Sequence, residues 1–375
     1  MAGIYIHIPY CKTRCIYCDF YKETNESNMD AFVDSLCREL VMRKDEVVES
    51  VKTIYFGGGT PSRLRENHFK DIFDFIEKNY TIEDEVEITV EANPDDLTND
   101  YVKMLQSLPI NRLSIGIQSF DDVELNFLSR RHSAQQAIDA VKRCQDFGYD
   151  NISIDMIYGL PNQSLERWSA NIETAIDLNI QHISAYHLIY EENTKLYTLL
   201  ERGRVIPVAD ETSINMFTML INKLAKSGFE QYEISNFAKN KRYSRHNTSY
   251  WLDQKYLGFG PSAHSYDGTN RSWNISSIGK YILSIHSDEL PQETEVLSIN
   301  ERYNEFILTK LRMMKGMNLS LLKDLFGEDY YTYCLSSAQR FIKEGLLLLD
   351  GDELKLTQSG IFISDGIMSE MMKID

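Results

Sequence analysis

The chain has 375 residues, 56 of them acidic and 39 basic, for a formal charge of −17 at neutral pH. That balance excludes a broadly basic nucleic-acid-binding surface, though not a local basic pocket. No apolar run reaches the roughly 18 residues that a membrane-spanning helix needs. At about 150 residues per domain the length predicts two domains, although barrels exceed that as one unit. The opening Met1-Ala2-Gly3-Ile4-Tyr5 has no basic stretch leading into an apolar core, so no signal peptide is expected. Six cysteines in so long a chain do not make a disulfide framework. Their clustering predicts a reducing, cytoplasmic setting.

An apolar strand over 3–9 runs into Cys11-Lys12-Thr13-Arg14-Cys15-Ile16-Tyr17-Cys18, a C-x3-C-x2-C loop. Thiolates are soft ligands, and this spacing lets one loop wrap a metal centre. A mononuclear zinc or a four-thiolate cluster needs a fourth ligand. The next cysteine, Cys37, lies in a helical pattern. Three thiolates on a [4Fe–4S] cube would leave one iron open to a small chelating molecule. Zinc, or three unrelated cysteines, is the plainer alternative on the loop alone.

A helix follows over 28–49, with Phe32, Leu36, Leu40 and Val47 on one face. A strand over 53–56 leads into Gly57-Gly58-Gly59-Thr60-Pro61, and a helix over 67–79 follows. A strand over 85–91 leads into Ala92-Asn93-Pro94, then a helix over 98–107 with Thr98 as cap. A strand over 112–118 precedes helices over 121–128 and 134–147, the second ended by Gly148. A strand over 151–157, a helix over 165–178 and a strand over 182–189 complete six strand–helix repeats. The strands are apolar on both faces, as in a buried parallel sheet. This pattern fits an open sheet and a barrel equally well. The polar Glu91, Gln118 and Asp155 fall at or near strand ends, beside the cysteine loop and the glycine run; in barrels, catalytic groups gather there.

Beyond 190 a helix over 210–227 and a strand over 230–237 are expected. Residues 243–276 are aromatic, glycine-rich and without clear periodicity; such loop-rich stretches often carry function. They include Arg245-His246-Asn247-Thr248-Ser249-Tyr250-Trp251. Helices over 301–312, 319–326 and 330–344, then a hairpin around Asp350-Gly351-Asp352, look like a winged-helix module. Its acidic residues point to a substrate or partner rather than DNA. Cys37, Cys144 and Cys334 read as inert buried thiols. His182 and His187 read as structural, and His7 as a shield for the cysteine loop.

The cysteine loop, with Tyr17 before its last cysteine, resembles the radical S-adenosylmethionine (SAM) superfamily. Gly57-Gly58-Gly59-Thr60-Pro61, Glu91-Ala92-Asn93-Pro94, Gly116-Ile117-Gln118-Ser119-Phe120, Leu128-Ser129-Arg130-Arg131-His132 and Ile154-Asp155-Met156-Ile157-Tyr158-Gly159-Leu160-Pro161 resemble its HemN/HemW family, the oxygen-independent coproporphyrinogen III oxidase-like proteins. The resemblance covers essentially the whole chain. It implies a six-stranded partial TIM-type radical SAM barrel over 1–235, an irregular segment over 236–298, and a C-terminal winged-helix-like module over 299–375. It implies a [4Fe–4S] cluster on Cys11, Cys15 and Cys18. It also implies SAM held by Tyr5, Tyr17, Gly58, Gly59, Thr60, Glu91, Gln118, Arg130 and Asp155.

The string His246-Asn247-x-x-Tyr250-Trp251 resembles the signature of haem-chaperone members of that family. It implies haem with His246 as axial ligand, since neutral imidazole suits haem iron. Two readings follow. One is a chaperone handing haem to a respiratory membrane protein, with peripheral membrane association. The other is a coproporphyrinogen III dehydrogenase that oxidatively decarboxylates two propionates. The dehydrogenase pattern has a further cysteine where this chain has Phe20, and a long segment before the cluster, so the chaperone reading is preferred.

Overall fold

The computed structural model describes residues 2–47 and 49–374. Six parallel strands run side by side in chain order: β1 (Ala2–Ile8), β2 (Val51–Gly58), β3 (Ile82–Ala92), β4 (Arg112–Gln118), β5 (Ile152–Tyr158) and β6 (His182–His187). The connections carry α1 (Met29–Met42), α2 (Glu66–Asn79), α3 (Asn99–Gln106), α4 (Asp122–Phe127), α5 (Ala134–Asp146) and α6 (Leu165–Asp177). The expected signals act at their ends. The Thr98 hydroxyl accepts from the Tyr101 amide at 3.3 Å, and Gly148 leaves α5 at φ +91°.

Alternate residues of each strand face opposite sides. On β2, Phe56 meets Phe69 and Phe73 of α2 edge-on, whereas Thr53 and Tyr55 point inward. Tyr5, Tyr55, Glu91, Ser114, Asp155 and Ser184, one from each of the six strands, line a single space. Only a curved sheet can bring six strands around one space, so the barrel is the correct alternative.

Past β6 come α7 (Lys195–Glu201), α8 (Asp210–Lys226), β7 (Glu230–Gln231) and β8 (Asn236–Ala238). The single strand expected over 230–237 is therefore two short antiparallel strands. The stretch expected to be irregular is also ordered. It forms α9 (Arg245–Trp251), β9 (Lys255–Phe259), β10 (His264–Tyr266), β11 (Asn270–Asn274), α10 (Ile278–His286) and β12 (Gln292–Val296). β9 pairs in parallel with β1, and β10 to β12 continue that edge antiparallel, giving twelve strands in one sheet. The outermost strands are short and largely exposed, so they show no apolar alternation.

Helix α1 stops short of the expected residue 49 because Arg43 leaves it for the interior. Arg43 donates to the Gly258 carbonyl at 2.8 Å and pairs with Glu39 at 3.2 Å. Glu39, fully buried, also accepts from the Gly260 amide, Asn274 and the Tyr281 hydroxyl, tying the added strands and α10 to α1.

The C-terminal part comprises α11 (Ile299–Arg312), β13 (Met317–Asn318), α12 (Leu319–Phe326), α13 (Glu328–Lys343), β14 (Leu347–Asp350), β15 (Glu353–Leu356), α14 (Gln358–Ile361) and α15 (Ser364–Met371). Its three short strands form a separate antiparallel sheet in the order β13-β15-β14. Helix α11 is fastened under the barrel. Arg312 pairs with the fully buried Glu233 at 2.7 Å and lies over the Trp251 ring at 4.8 Å. Lys310 donates to the Trp251 carbonyl at 2.7 Å.

Candidate functional site

The cysteine loop leaves β1 and is pinned at both flanks. The Cys11 amide donates to the Glu23 carbonyl at 2.9 Å, and Lys22 Nζ donates to the Cys18 carbonyl at 2.7 Å. Between the cysteines, Ile16 packs with Leu128, Ile157, Leu160, Leu188, Leu196 and Val205. Tyr17 packs against the same cluster, and both Cys15 and Tyr17 line the cavity above it.

All three cysteines line one cavity of about 520 Å³ at the ends of the strands. Tyr17, Gly58, Gly59, Thr60, Glu91, Gln118, Arg130 and Asp155 line the same cavity. Gly58 is required by its φ of +104° and by the His7 ring, which would lie 2.6 Å from an added Cβ. Gln118 adopts φ +73° where β4 loses register with β5, a strained non-glycine backbone facing the cavity.

Polar contacts knit the cavity wall together. The Thr60 hydroxyl lies 3.3 Å from Cys11 Sγ and accepts from Asn93 Nδ2 at 3.2 Å. Arg130 donates to Cys15 Sγ at 3.4 Å, and to Asn93 and the Gly116 carbonyl, while its buried Nε has no partner. Burial holds the Cys11 thiol above its ordinary pKa, with the Thr60 hydroxyl and Lys22 pulling it down. Burial also pushes Glu91 up to about 7 and Asp155 up to about 6. The Tyr55 hydrogen bond opposes the shift at Glu91, and the Ser184 hydrogen bond opposes it at Asp155.

This arrangement fits the expected groups. Among the described residues, no three His, Cys, Asp or Glu side chains converge as they would around a single ion. Three thiols on one wall are the donor set of a cube held by three cysteines. A buried guanidinium with a free donor suits a carboxylate. Two carboxyls in one cavity, on β3 and β5 to either side of β4, suit hydroxyl donors.

Tyr5 and His246 are not in this cavity. They line a second, smaller space of about 210 Å³ inside the barrel, which shares Glu91, Ser114, Asp155 and Tyr186 with the first. His246 is only 1% exposed. Its Nδ1 hydrogen-bonds Thr53 Oγ1 at 2.8 Å and its Nε2 the Tyr250 hydroxyl at 2.8 Å. Burial and the nearby Arg112 lower its pKa to about 3, so the ring is neutral. In this arrangement His246 has no ring nitrogen free for iron. Nor does Trp251 stand open to a macrocycle, because Arg312 covers it.

Several residues that shape the site carried no assignment in the sequence. Asn93 bridges Thr60 and Arg130. His132 lines the large cavity, bonds the Ile117 carbonyl at 3.1 Å and keeps a buried Nδ1 without a partner. Tyr55 donates to Glu91 at 2.7 Å. The period-two alternation that puts Phe56 outside was the available signal for Tyr55. His7, expected to shield the cysteine loop, packs on Gly58 and bonds the Tyr21 carbonyl. His182 is fully buried between Ser153 and Tyr232, as expected of a structural residue. His187 instead lines the large cavity while bonding Ser213. Cys37, Cys144 and Cys334 are buried, free, and pushed up to about 12 by burial.

Similarity to known proteins points the same way. The profile described as the radical SAM superfamily matches residues 5–175, and that of the HemN C-terminal domain matches 297–363. The chain is 33% identical to the heme chaperone HemW of Bacillus subtilis, covering 99% of both chains. It is 31% identical to the heme chaperone HemW of Lactococcus lactis, covering 99% of this chain and 97% of that one. It is 36% identical to the mitochondrial radical S-adenosyl methionine domain-containing protein 1 of Danio rerio, covering 99% of this chain and 87% of that one. The coproporphyrinogen III oxidase HemN of Escherichia coli superposes with a TM-score of 0.85 at 20% identity, covering 99% of this chain and 90% of that one, a likeness of fold. Carrying the three-cysteine loop, the strand-end cavity and a HemN-type C-terminal part, the chain belongs to the HemN/HemW family of the radical SAM superfamily.

Proposed function

We propose that this protein is a haem chaperone of the cytoplasm that holds a [4Fe–4S] cluster and SAM in its strand-end cavity and hands haem to a respiratory membrane protein. The observation that carries this reading is the match, from end to end of the chain, to proteins named heme chaperone HemW. Phe20 adds to it, because it stands where the dehydrogenase pattern has a further cysteine; it is 64% exposed and lines the cavity.

Cys11, Cys15 and Cys18 hold the cluster. Such a cluster, when bound, supplies one open iron for the amino and carboxylate groups of SAM and one electron. Arg130 pairs with the SAM carboxylate through its free Nε. Gly58, Gly59 and Thr60 bring backbone up to the amino end. Glu91 and Asp155 take the ribose hydroxyls, and Gln118 and Tyr17 close the wall around the nucleoside. Tyr5 supports this set from the inner space. His246 would be the residue to hold haem iron, and one of its ring nitrogens would first have to give up its hydrogen bond to Thr53 or Tyr250.

The test is an anaerobic comparison on the reconstituted protein. Haem titration should produce a shifted Soret band, and incubation with coproporphyrinogen III, SAM and reductant should yield no decarboxylated product. Turnover of coproporphyrinogen III would give the dehydrogenase reading instead.

A further inference from the structure

The His-Asn-x-x-Tyr-Trp helix is physically continuous with the back wall of the cofactor cavity. Thr53 and Tyr250 clamp the two nitrogens of His246, so its ring plane is set. The Tyr55 ring lies on that imidazole, with centroids 5.0 Å apart and 24° between planes. Tyr5 stacks beside both, at 6.1 Å from Tyr55 and 6.3 Å from His246. The Tyr55 hydroxyl then reaches Glu91 Oε1 at 2.7 Å.

The backbone is cut to fit these rings. A Cβ on Gly3 would stand 2.9 Å from Thr53 Oγ1 and 3.2 Å from His246 Cε1. A Cβ on Gly57 would stand 2.9 Å from Tyr55, 3.0 Å from Tyr5 and 3.2 Å from Glu91 Oε1. Two neighbouring strands thus lack side chains where the rings and the carboxylate pack. A glutamate at a strand end has several rotamers of similar energy. The hydroxyl on this locked ring and the Gly58 amide both donate to the carboxylate, which fixes it where it lines the cavity.

We infer that His246 is a positioning residue for the nucleoside end of SAM, acting through Tyr55 on the carboxylate of Glu91. The inference rests on the reading of Glu91 as a ribose ligand. It gives the histidine a role with both ring nitrogens hydrogen-bonded, separate from any bond to haem iron.

Anaerobic calorimetry on cluster-reconstituted protein tests it, with SAM and with free methionine, which lacks the ribose. His246→Ala and Tyr55→Phe should each weaken SAM binding about tenfold, the scale of one misplaced charge-assisted hydrogen bond. Neither should weaken it further in a Glu91→Gln background, and methionine should bind every variant alike. If His246→Ala weakens methionine as much as SAM, or still weakens SAM when Glu91→Gln is present, its effect is general damage and the inference is overturned. If Glu91→Gln weakens SAM while Tyr55→Phe and His246→Ala do not, the positioning role alone falls. If Glu91→Gln binds SAM like the wild type, the ribose reading falls first. Thr53→Val keeps side-chain shape while removing one clamp, and should reproduce the result if His246→Ala does not fold.

Discussion

Strands β2 to β6 line two spaces, and polar groups are treated in opposite ways in them. In the strand-end cavity, hydrogen-bonding capacity is left over: Arg130 Nε and His132 Nδ1 are buried without partners, and the three cysteines are held in no disulfide. In the inner space the groups are turned on one another. His246 is bonded at both nitrogens, and Tyr55 is bonded to Glu91. A wall that receives a ligand keeps open donors and acceptors, whereas a wall that supports it has them closed. Glu91 and Asp155 stand between, since both spaces share them.

The sharpest way to break this contrast is at the cysteines. Cys15→Ala should take iron and sulfide from about four of each per chain to background. Anaerobic metal analysis that finds the cluster retained would remove the large cavity as its seat. Next come the charged groups on the receiving wall. Arg130→Ala and Glu91→Ala should each weaken SAM binding by roughly 1.5–3 kcal/mol, about ten- to a hundredfold. Unchanged affinity in both, by calorimetry, would mean that the cavity does not hold SAM as assigned.

On the supporting wall the expected effect is on stability and on haem. His246→Ala strands the Thr53 and Tyr250 hydroxyls in a buried site, which should cost about 1–3 kcal/mol in denaturant unfolding. The same variant should lose or move the Soret band of a haem titration, while Cys15→Ala keeps it. An unaltered haem spectrum would leave His246 with its supporting role only.

A further effect, spread over pH, lies in the shared carboxyls. Burial raises Glu91 from 4.5 to about 7 and Asp155 from 3.8 to about 6. Between those values the folded protein holds protons that the unfolded chain has released, so their contribution is full at low pH and is lost as pH rises. Unfolding free energy of the cluster-free protein should therefore fall across this window, by at most about 1.4 kcal/mol per pH unit for each carboxyl. Glu91→Gln should flatten the upper part of the slope. An identical pH profile in that variant would place the titration elsewhere.

The cysteine loop, the six strand–helix repeats, the Thr98 cap and the Gly148 stop were all legible in the amino-acid sequence. Each depends on residues within a few positions of one another: ligand spacing, apolar periodicity, a hydroxyl reaching an amide three residues on. The polar strand ends were legible as well, because strands of one parallel sheet end on the same side. Tertiary structure decided what depends on residues far apart in the chain. Strand periodicity does not say whether a sheet closes around a space; curvature and register do. Nothing local in Lys255–Phe259 says that it pairs beside β1. The placement of His246 was decided in the same way. Read in its own segment it looked like an axial ligand among aromatics. Thr53, distant in sequence but 2.8 Å away in space, draws it into the barrel and makes it part of the wall.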